Sequence, residues 1–291
     1  MKFLLFGSPI FTRLVLEQLA AANMLPAAVV CNPDRPSGRH QELTPPEVKR
    51  YILEHKLPID ILQPETVTPA TFHIPHSTFD FFVVAAYSKM LSKEVLAIPR
   101  LGTIGIHSSL LPKYRGTSPI QAAMLAGDKF TGASLYVMDE KMDHGPVLSR
   151  VEVPILADDT HETLMRKIWS GAGRRLAEII PDFLAGYITP QIQDESQATY
   201  TQKLNGQDSY VDPVELERAL GGDLGQTTTI DRKIRALNPD PGVWTKTAGE
   251  FRLGQVTVPP GKRLKLLAAE VRDGKLVLKR IQIEGKNQIT L

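Results

Sequence analysis

Apolar and polar positions follow two different rhythms along the first 185 residues. Short apolar runs typical of buried strands alternate with stretches in which apolar residues recur every three or four positions, as in amphipathic helices. The run over 79–85 is apolar except for Asp80, which is expected for a strand covered on both faces. This alternation predicts a mostly parallel sheet covered by helices. The predicted strands are 2–6, 26–31, 58–62, 79–85, 101–107 and 133–138, and the predicted helices are 11–22, 46–55, 92–98, 119–126 and 160–184.

The pattern changes after Gly186. Residues 187–213 are polar and have no regular period, which indicates a linker. Beyond residue 243, short apolar runs are separated by glycines, a pattern typical of a small β-sheet or β-barrel domain. The predicted elements here are helices 214–220 and 230–237 and strands 251–253, 255–258, 265–271 and 275–283.

Length and composition agree with two globular domains. The chain has 291 residues, of which 42% are hydrophobic and 23% charged, which is typical of a globular rather than a disordered protein. The predicted fold class is α/β. The predicted domains are a Rossmann-like α/β domain over 1–188, a linker over 189–208 and a small OB-like β-barrel domain over 209–291.

The number of cysteines and the lengths of the apolar runs indicate the cellular compartment. Cys31 is the single cysteine, so an intrachain disulfide framework and a cysteine-rich metal site are excluded. The apolar run at the N-terminus is broken by Gly7 and Pro9, too early for a signal peptide, and no stretch has transmembrane length. We therefore expect a cytoplasmic protein without a membrane partner, and a monomer.

The charge is unevenly distributed although the net value is only +2. Residues 246–291 carry 10 lysines and arginines against 4 acidic residues, a local balance of +6. A basic segment of this kind can contact phosphates. A solvated face of lysines and arginines is the simpler interpretation of the charge alone.

Candidate chemistry begins at the stretch LGTIGIHSSLLPKYRG, residues 101–116. The predicted strand brings His107 to its carboxyl end, where open α/β sheets bind their ligands. A histidine at this place is suited to proton transfer near neutral pH. A structural hydrogen-bonding role is the alternative for a single histidine at a strand end.

A second polar stretch, MDEKMDHGPVL, follows the strand predicted at 133–138. It holds Asp139, Glu140, Asp143 and His144, and a carboxylate here could orient His107. The alternative is that the aspartates cap turns. The spacing of this stretch does not fit a helical zinc site, so no metal is expected.

These two stretches together resemble the signature of folate-dependent formyltransferases. The likeness extends to the loop PDRPSGRHQEL (33–43), to YTQKL (200–204) and to IRALNP (234–239), and these segments resemble methionyl-tRNA formyltransferases. The resemblance implies transfer of a formyl group from 10-formyltetrahydrofolate to the α-amine of initiator methionyl-tRNA, with no metal and no bound nucleotide. The folate donor and the tRNA are the implied partners.

The resemblance also implies roles for individual residues. It makes His107 and Asp143 the catalytic pair, and it places Arg35 and Arg39 in a loop that meets tRNA. The implied folate contacts are Ser109, Leu110, Leu111, Pro112, Ala86, Tyr87, Met90 and Leu91. The tRNA contacts expected from the resemblance and the basic tail are Arg35, Arg39, Lys203, Lys262, Arg263 and Lys265.

One residue departs from the family pattern. The family has an asparagine two positions before the histidine, and this chain has Gly105. An amide at that position can donate a hydrogen bond to the oxyanion of the tetrahedral intermediate, and loss of one such donor typically costs about 10²–10³ in rate. We therefore expect Gly105→Asn to raise the rate by about one to three decades.

Several interpretations of Gly105 and of the acceptor remain open. The site could be disabled, it could use water together with His107, or another group such as Ser108 or Thr117 could take the missing role. The acceptor could instead be a small amine such as an amino sugar nucleotide, and the chain could be a hydrolase that releases formate. A catalytically inactive homologue that binds folate or tRNA is the alternative outside enzymes.

Overall fold

A computed structural model describes residues 1–38, 41–72, 79–247 and 249–291. These residues divide into two compact units. The first unit comprises residues Met1–Gly116, Phe130–Pro154 and Met165–Tyr200, and the second comprises Thr117–Lys129, Ile155–Leu164 and Thr201–Leu291.

The centre of the first unit is a seven-stranded sheet with the order β10-β9-β7-β6-β1-β2-β5. Neighbours from β7 to β5 are parallel, whereas β9 pairs antiparallel with both β7 and β10. The strands of this half of the chain are β1 (Phe3–Phe6), β2 (Ala28–Val30), β3 (Arg35–Ser37), β4 (Glu42–Thr44), β5 (Asp60–Leu62), β6 (Phe81–Ala85), β7 (Thr103–His107), β8 (Arg115–Gly116), β9 (Phe130–Val137), β10 (Val147–Pro154) and β11 (Tyr200–Thr201).

The helices of this half lie close to the predicted ones. Thr160 begins the long helix α5, because its side-chain oxygen accepts a hydrogen bond from the Thr163 amide at 3.3 Å. The helices are α1 (Ile10–Ala21), α2 (Glu47–Glu54), α3 (Lys93–Leu96), α4 (Pro119–Ala126) and α5 (His161–Ala185).

Aromatic residues form one layer of the core of the first unit. Phe6, Phe72, Phe79 and Phe82 pack with ring centroids 5.2–6.5 Å apart, in tilted and edge-on pairs. All are buried and lie on one side of the sheet with apolar residues of β1, β2 and β6. The apolar run predicted as a strand over 79–85 thus forms the central strand β6, which begins at Phe81, after Asp80, and is buried along most of its length.

The edge of the sheet differs from the sequence prediction. The strand predicted at 133–138 is β9, and it begins at Phe130. Strand β10 was not predicted from the sequence, because Arg150 and Glu152 interrupt its apolar pattern. The reason is that β10 is an edge strand, and its alternating exposure weakens the hydrophobic signal.

The second unit combines two helices with antiparallel strands. A four-stranded sheet has the order β12-β15-β16-β17, and a separate hairpin joins β13 to β14. Helix α7 begins at residue 224 rather than the predicted 230, because the Asp223 carboxylate caps the amide of Gln226. The elements are α6 (Pro213–Gly221), α7 (Leu224–Leu237), β12 (Trp244–Lys246), β13 (Phe251–Leu253), β14 (Val256–Val258), β15 (Arg263–Arg272), β16 (Lys275–Ile283) and β17 (Gln288–Thr290).

The predicted fold class is therefore confirmed as a mixed, mostly parallel sheet with helices, followed by a region of antiparallel strands. Within the described ranges, none of the helices combines the length and the apolar character needed to cross a membrane.

Candidate active site

His107 is the last residue of β7 and stands at the carboxyl edge of the parallel strands. Its Nε2 lies 2.8 Å from the carbonyl oxygen of Tyr114. Because a carbonyl oxygen only accepts, Nε2 carries a hydrogen and donates it. The other ring nitrogen, Nδ1, lies 3.5 Å from Oδ2 of Asp143, and the histidine is only 8% exposed. The structure thus brings together the two residues that the sequence assigned to catalysis.

Asp143 is held by hydrogen bonds at both carboxylate oxygens. Oδ1 accepts from the hydroxyl of Tyr136 at 2.9 Å, and Oδ2 accepts from the amide of Gly116 at 2.8 Å. These two bonds fix the orientation of the carboxylate, with Oδ2 facing Nδ1 of His107.

The loop that carries Asp143 has an unusual backbone. Asp143 adopts φ +51°, in the left-handed region, and a Cβ at Gly145 would overlap the carbonyl oxygen of Val137. The amide of Gln193 donates to the carbonyl oxygens of both Asp143 and Gly145, at 2.9 and 2.8 Å. These two bonds fix the loop, so the position of the Asp143 side chain depends on Gln193.

Arg115 links Gln193 to two residues that follow it in the chain, Glu195 and Tyr200. It is only 1% exposed, and its guanidinium donates to Oε1 of Gln193 at 2.9 Å and to the carboxylate of Glu195 at 2.6 Å. It also donates to the hydroxyl of Tyr200 at 3.1 Å. Residues 193–200 lie within the predicted linker, yet the structure places them in the first unit, against the candidate site. Hydrophobic periodicity could not predict this contribution, because these residues are polar and have no regular period.

Gln193→Ala is expected to lower the free energy of unfolding by about 1–3 kcal/mol, because two buried carbonyl groups and Arg115 lose a partner. Urea unfolding of the purified protein measures this loss. Gln197→Ala is the matched control, since the Gln197 amide pairs with Asp194 in an exposed position. An unchanged midpoint for Gln193→Ala would contradict the supporting role of this residue.

The segment after His107 is fixed by its own hydrogen bonds. The Ser109 hydroxyl donates to the carbonyl oxygen of Lys113 at 2.5 Å. The Leu111 amide donates to Oγ of Ser134 at 2.9 Å, and that hydroxyl donates to the carbonyl oxygen of Ser109 at 2.8 Å. Ser109 and Leu111 are fully buried, whereas Leu110 and Pro112 are half-buried.

The other predicted folate contacts follow β6, whose carboxyl end is next to that of β7. Ala86 has φ +54°, Tyr87 and Leu91 pack on the aromatic core, and Met90 is 90% exposed. Burial raises the pKa of Tyr87 to about 12. The hydroxyl of Tyr87 and Oδ1 of Asn32 are both buried and have no hydrogen-bond partner among the described residues.

The residues predicted to contact tRNA differ in their exposure and in their contacts with neighbouring side chains. Arg35 lies exposed in β3, and Arg39 lies outside the described residues. In the second unit, Arg263 stacks its guanidinium 4.1 Å from the centre of the Trp244 ring. The lysines Lys203, Lys262 and Lys265 are exposed.

Comparison with known families shows which family this fold belongs to. The family model described as "Formyl transferase" matches residues 1–180, which include β7, His107 and Asp143. The model described as "Formyl transferase, C-terminal domain" matches residues 225–291.

The chain belongs to the formyl transferase family.

Relatives and solved structures agree with this assignment. A methionyl-tRNA formyltransferase of Halorhodospira halophila is 40% identical over 92% of this chain and 79% of its own length. The structure of a methionyl-tRNA formyltransferase from Clostridium thermocellum superposes with a TM-score of 0.58 at 18% identity, covering 97% of this chain and 98% of its own. WlaRD, a sugar 3N-formyl transferase solved in the presence of dTDP and 5-N-formyl-THF, gives 0.59 at 15% identity, with 99% of each chain covered.

In this formyl transferase, the side chains of Tyr136 and Met138 occupy the space beside Gly105. A Cβ built on it would lie 2.6 Å from the ring of Tyr136 and 2.9 Å from Cγ of Met138, which is closer than real Cβ atoms approach other atoms. The aromatic ring therefore fills the volume that a side chain at position 105 would need. Tyr136 could not be assigned to the site from the sequence, because only the pairing of β7 with β9 shows that it faces Gly105.

Proposed function

We propose that this formyl transferase moves a formyl group from 10-formyltetrahydrofolate to the α-amine of initiator methionyl-tRNA. The observation that carries the proposal is the His107–Asp143 pair at the carboxyl end of β7, immediately before the buried loop 109–112. The names of relatives that match nearly the full chain support the tRNA acceptor.

The chemistry follows from the placement of the pair. The methionine amine attacks the formyl carbon, a C–N bond forms, and the carbonyl oxygen becomes an oxyanion. His107 stabilises that charge when its Nε2 hydrogen turns from the Tyr114 carbonyl oxygen to the oxyanion. Asp143 accepts the proton that the amine loses and passes it, directly or through water, to the departing folate nitrogen. The bond from this nitrogen to the formyl carbon then breaks, which gives formylmethionyl-tRNA and tetrahydrofolate.

The residues after β6 and β7 fit a pterin. The pterin ring is flat and carries several hydrogen-bonding groups, and Tyr87 and Leu91 offer an apolar wall beside it. The unpartnered Tyr87 hydroxyl and Asn32 Oδ1 are two polar atoms that such a ring can satisfy. In this proposal the folate donor supplies the formyl group, and the backbone of 109–112 with Ala86, Tyr87, Met90 and Leu91 holds it.

A turnover assay tests the function directly. The protein is incubated with 10-formyltetrahydrofolate and initiator tRNA charged with labelled methionine, and formylmethionine is measured after deacylation. Parallel reactions contain an amino sugar nucleotide or no acceptor. Formylation of the sugar alone would favour the small-amine alternative, and formate release without an acceptor would favour a hydrolase. No turnover in any reaction would leave a binding protein.

The proposal includes the predicted organisation of the chain. Residues 1–188 form the catalytic domain, 189–208 the linker and 209–291 the domain that contacts tRNA. A cytoplasmic monomer is part of the same proposal, and size-exclusion chromatography with light scattering tests the monomer. The position of Gln193 indicates that the first part of the linker also supports the Asp143 loop.

Binding of tRNA is expected to weaken steeply with salt, because lysines and arginines release counterions from the phosphates. The double change Lys262→Ala and Lys265→Ala is expected to reduce the slope of log K against log salt by about two, since each lost phosphate contact removes about one. Filter binding between 50 and 200 mM salt measures both effects. Lys56→Ala, an exposed cation after α2, serves as the control. A flat salt response would contradict a nucleic-acid partner.

A further inference from the structure

Gly105 and Tyr136 are direct cross-strand partners. They face each other in the antiparallel pairing of β7 with β9, so their side-chain positions lie on the same face of the sheet. The Tyr136 ring covers the glycine and packs with Leu111, Met138 and Val147 in a small buried cluster. The absence of a side chain at position 105 is thus what allows the ring to lie there.

The hydroxyl of Tyr136 has one described partner, Oδ1 of Asp143. The tyrosine is only 5% exposed. Burial raises its pKa well above the usual value, and the negative charge of Asp143 raises it further. The phenol therefore keeps its proton over the working pH range and acts as a permanent donor to the carboxylate.

The two carboxylate oxygens of Asp143 have different supports. Oδ2 is held by the amide of Gly116 and faces His107, whereas Oδ1 depends on Tyr136. If the phenol hydroxyl is removed, Oδ1 loses its described donor and the carboxylate can turn about its last torsion. The distance from Oδ2 to the imidazole would then no longer be fixed.

We propose that Tyr136 is a positioning residue that holds the Asp143 carboxylate against His107, and that Gly105 is required because it makes room for the Tyr136 ring. The catalytic part of this inference rests on the proposed formyl transfer. The Gly105–Tyr136 pair thereby supplies a buried donor next to the site. The glycine belongs to a rearranged site and not to a disabled one.

Tyr136→Phe tests the positioning role, because it keeps the ring and removes only the hydroxyl. We expect kcat to fall about 10- to 100-fold, the range for a hydrogen bond to a charged group, while KM for both substrates changes less than about twofold. A fall in kcat at unchanged KM is what displaced catalytic groups produce, whereas a general loss of structure would also weaken substrate binding. Tyr187→Phe is the matched control, because Tyr187 is 80% exposed. An unchanged kcat would overturn the proposal.

A second measurement does not depend on activity. It is a double-mutant cycle, in which urea measures the free energy of unfolding of Tyr136→Phe, Asp143→Ala and the double variant. Alanine at the left-handed position 143 is strained, but this strain occurs in both branches and cancels. We expect the two effects to be non-additive, because each single change removes the same hydrogen bond. Additive effects would overturn the proposal whether or not the protein is active, whereas a coupled pair in a protein without turnover would refute only the proposed function.

Discussion

His107→Ala is expected to lower kcat by about 10²–10³-fold, because the oxyanion loses a hydrogen-bond donor and one such donor typically contributes this much. The imidazole is oriented on both sides, by the carbonyl of Tyr114 and by the carboxylate of Asp143. Single-turnover formylation of charged initiator tRNA, with substrates at saturation, measures the loss.

The control for this variant is His55→Ala, in which the exposed histidine at the end of α2 is removed. It should keep the wild-type rate. Thermal unfolding of His107→Ala must accompany the assay, because the histidine also bonds to the Tyr114 carbonyl. A folded His107→Ala protein with a rate within tenfold of the wild type would exclude His107 from the chemistry.

Gly105→Asn is expected to destabilise the protein by about 1–3 kcal/mol and to lower its activity, because extra atoms in a packed region force side chains out of their rotamers. This reverses the expectation from sequence, in which an added asparagine simply restored a missing donor. The reason is the contact at 2.6 Å between a Cβ at position 105 and the Tyr136 ring. Displacing that ring also pulls its hydroxyl from Asp143. Urea unfolding and kcat are measured on the same preparation.

Two further variants test whether the loss of stability comes from steric overlap with the Tyr136 ring or from adding any side chain to a glycine. Gly206→Ala places a Cβ where no atom lies within 4 Å, so it should be close to neutral. Tyr136→Ala in the Gly105→Asn background removes the ring and should recover part of the stability lost in the single variant. A Gly105→Asn protein that is as stable as the wild type and more active would show that the ring moves aside easily, and would refute the steric argument.

The three interpretations of Gly105 that the sequence left open now have different support. The water-assisted site needs room for a water beside the glycine, and the Tyr136 ring occupies that space. A disabled site needs no such room, so the turnover assay decides that interpretation. A substitute oxyanion donor such as Ser108 or Thr117 stays a prediction, because the Tyr136 hydroxyl donates to Asp143 instead.

Features that depend on residues close together in the chain could be predicted from the amino-acid sequence. The apolar run over 79–85 predicted a central strand, and the strand before His107 predicted a histidine at the carboxyl edge. Both predictions succeed because a buried strand has a local hydrophobic signal and a parallel sheet binds ligands at a known edge. The motif around these residues was also sufficient to indicate the family.

Features that depend on pairing between distant segments became visible only in the folded protein. The antiparallel direction of β9 places Tyr136 opposite Gly105, and the fold brings Gln193 from the predicted linker to the loop of Asp143. Neither contact leaves a trace in hydrophobic periodicity, because strand register and loop support arise only when the chain is folded. The chain's sequence therefore indicated which chemistry the site performs, whereas its fold decided which side chains hold the reacting groups in place.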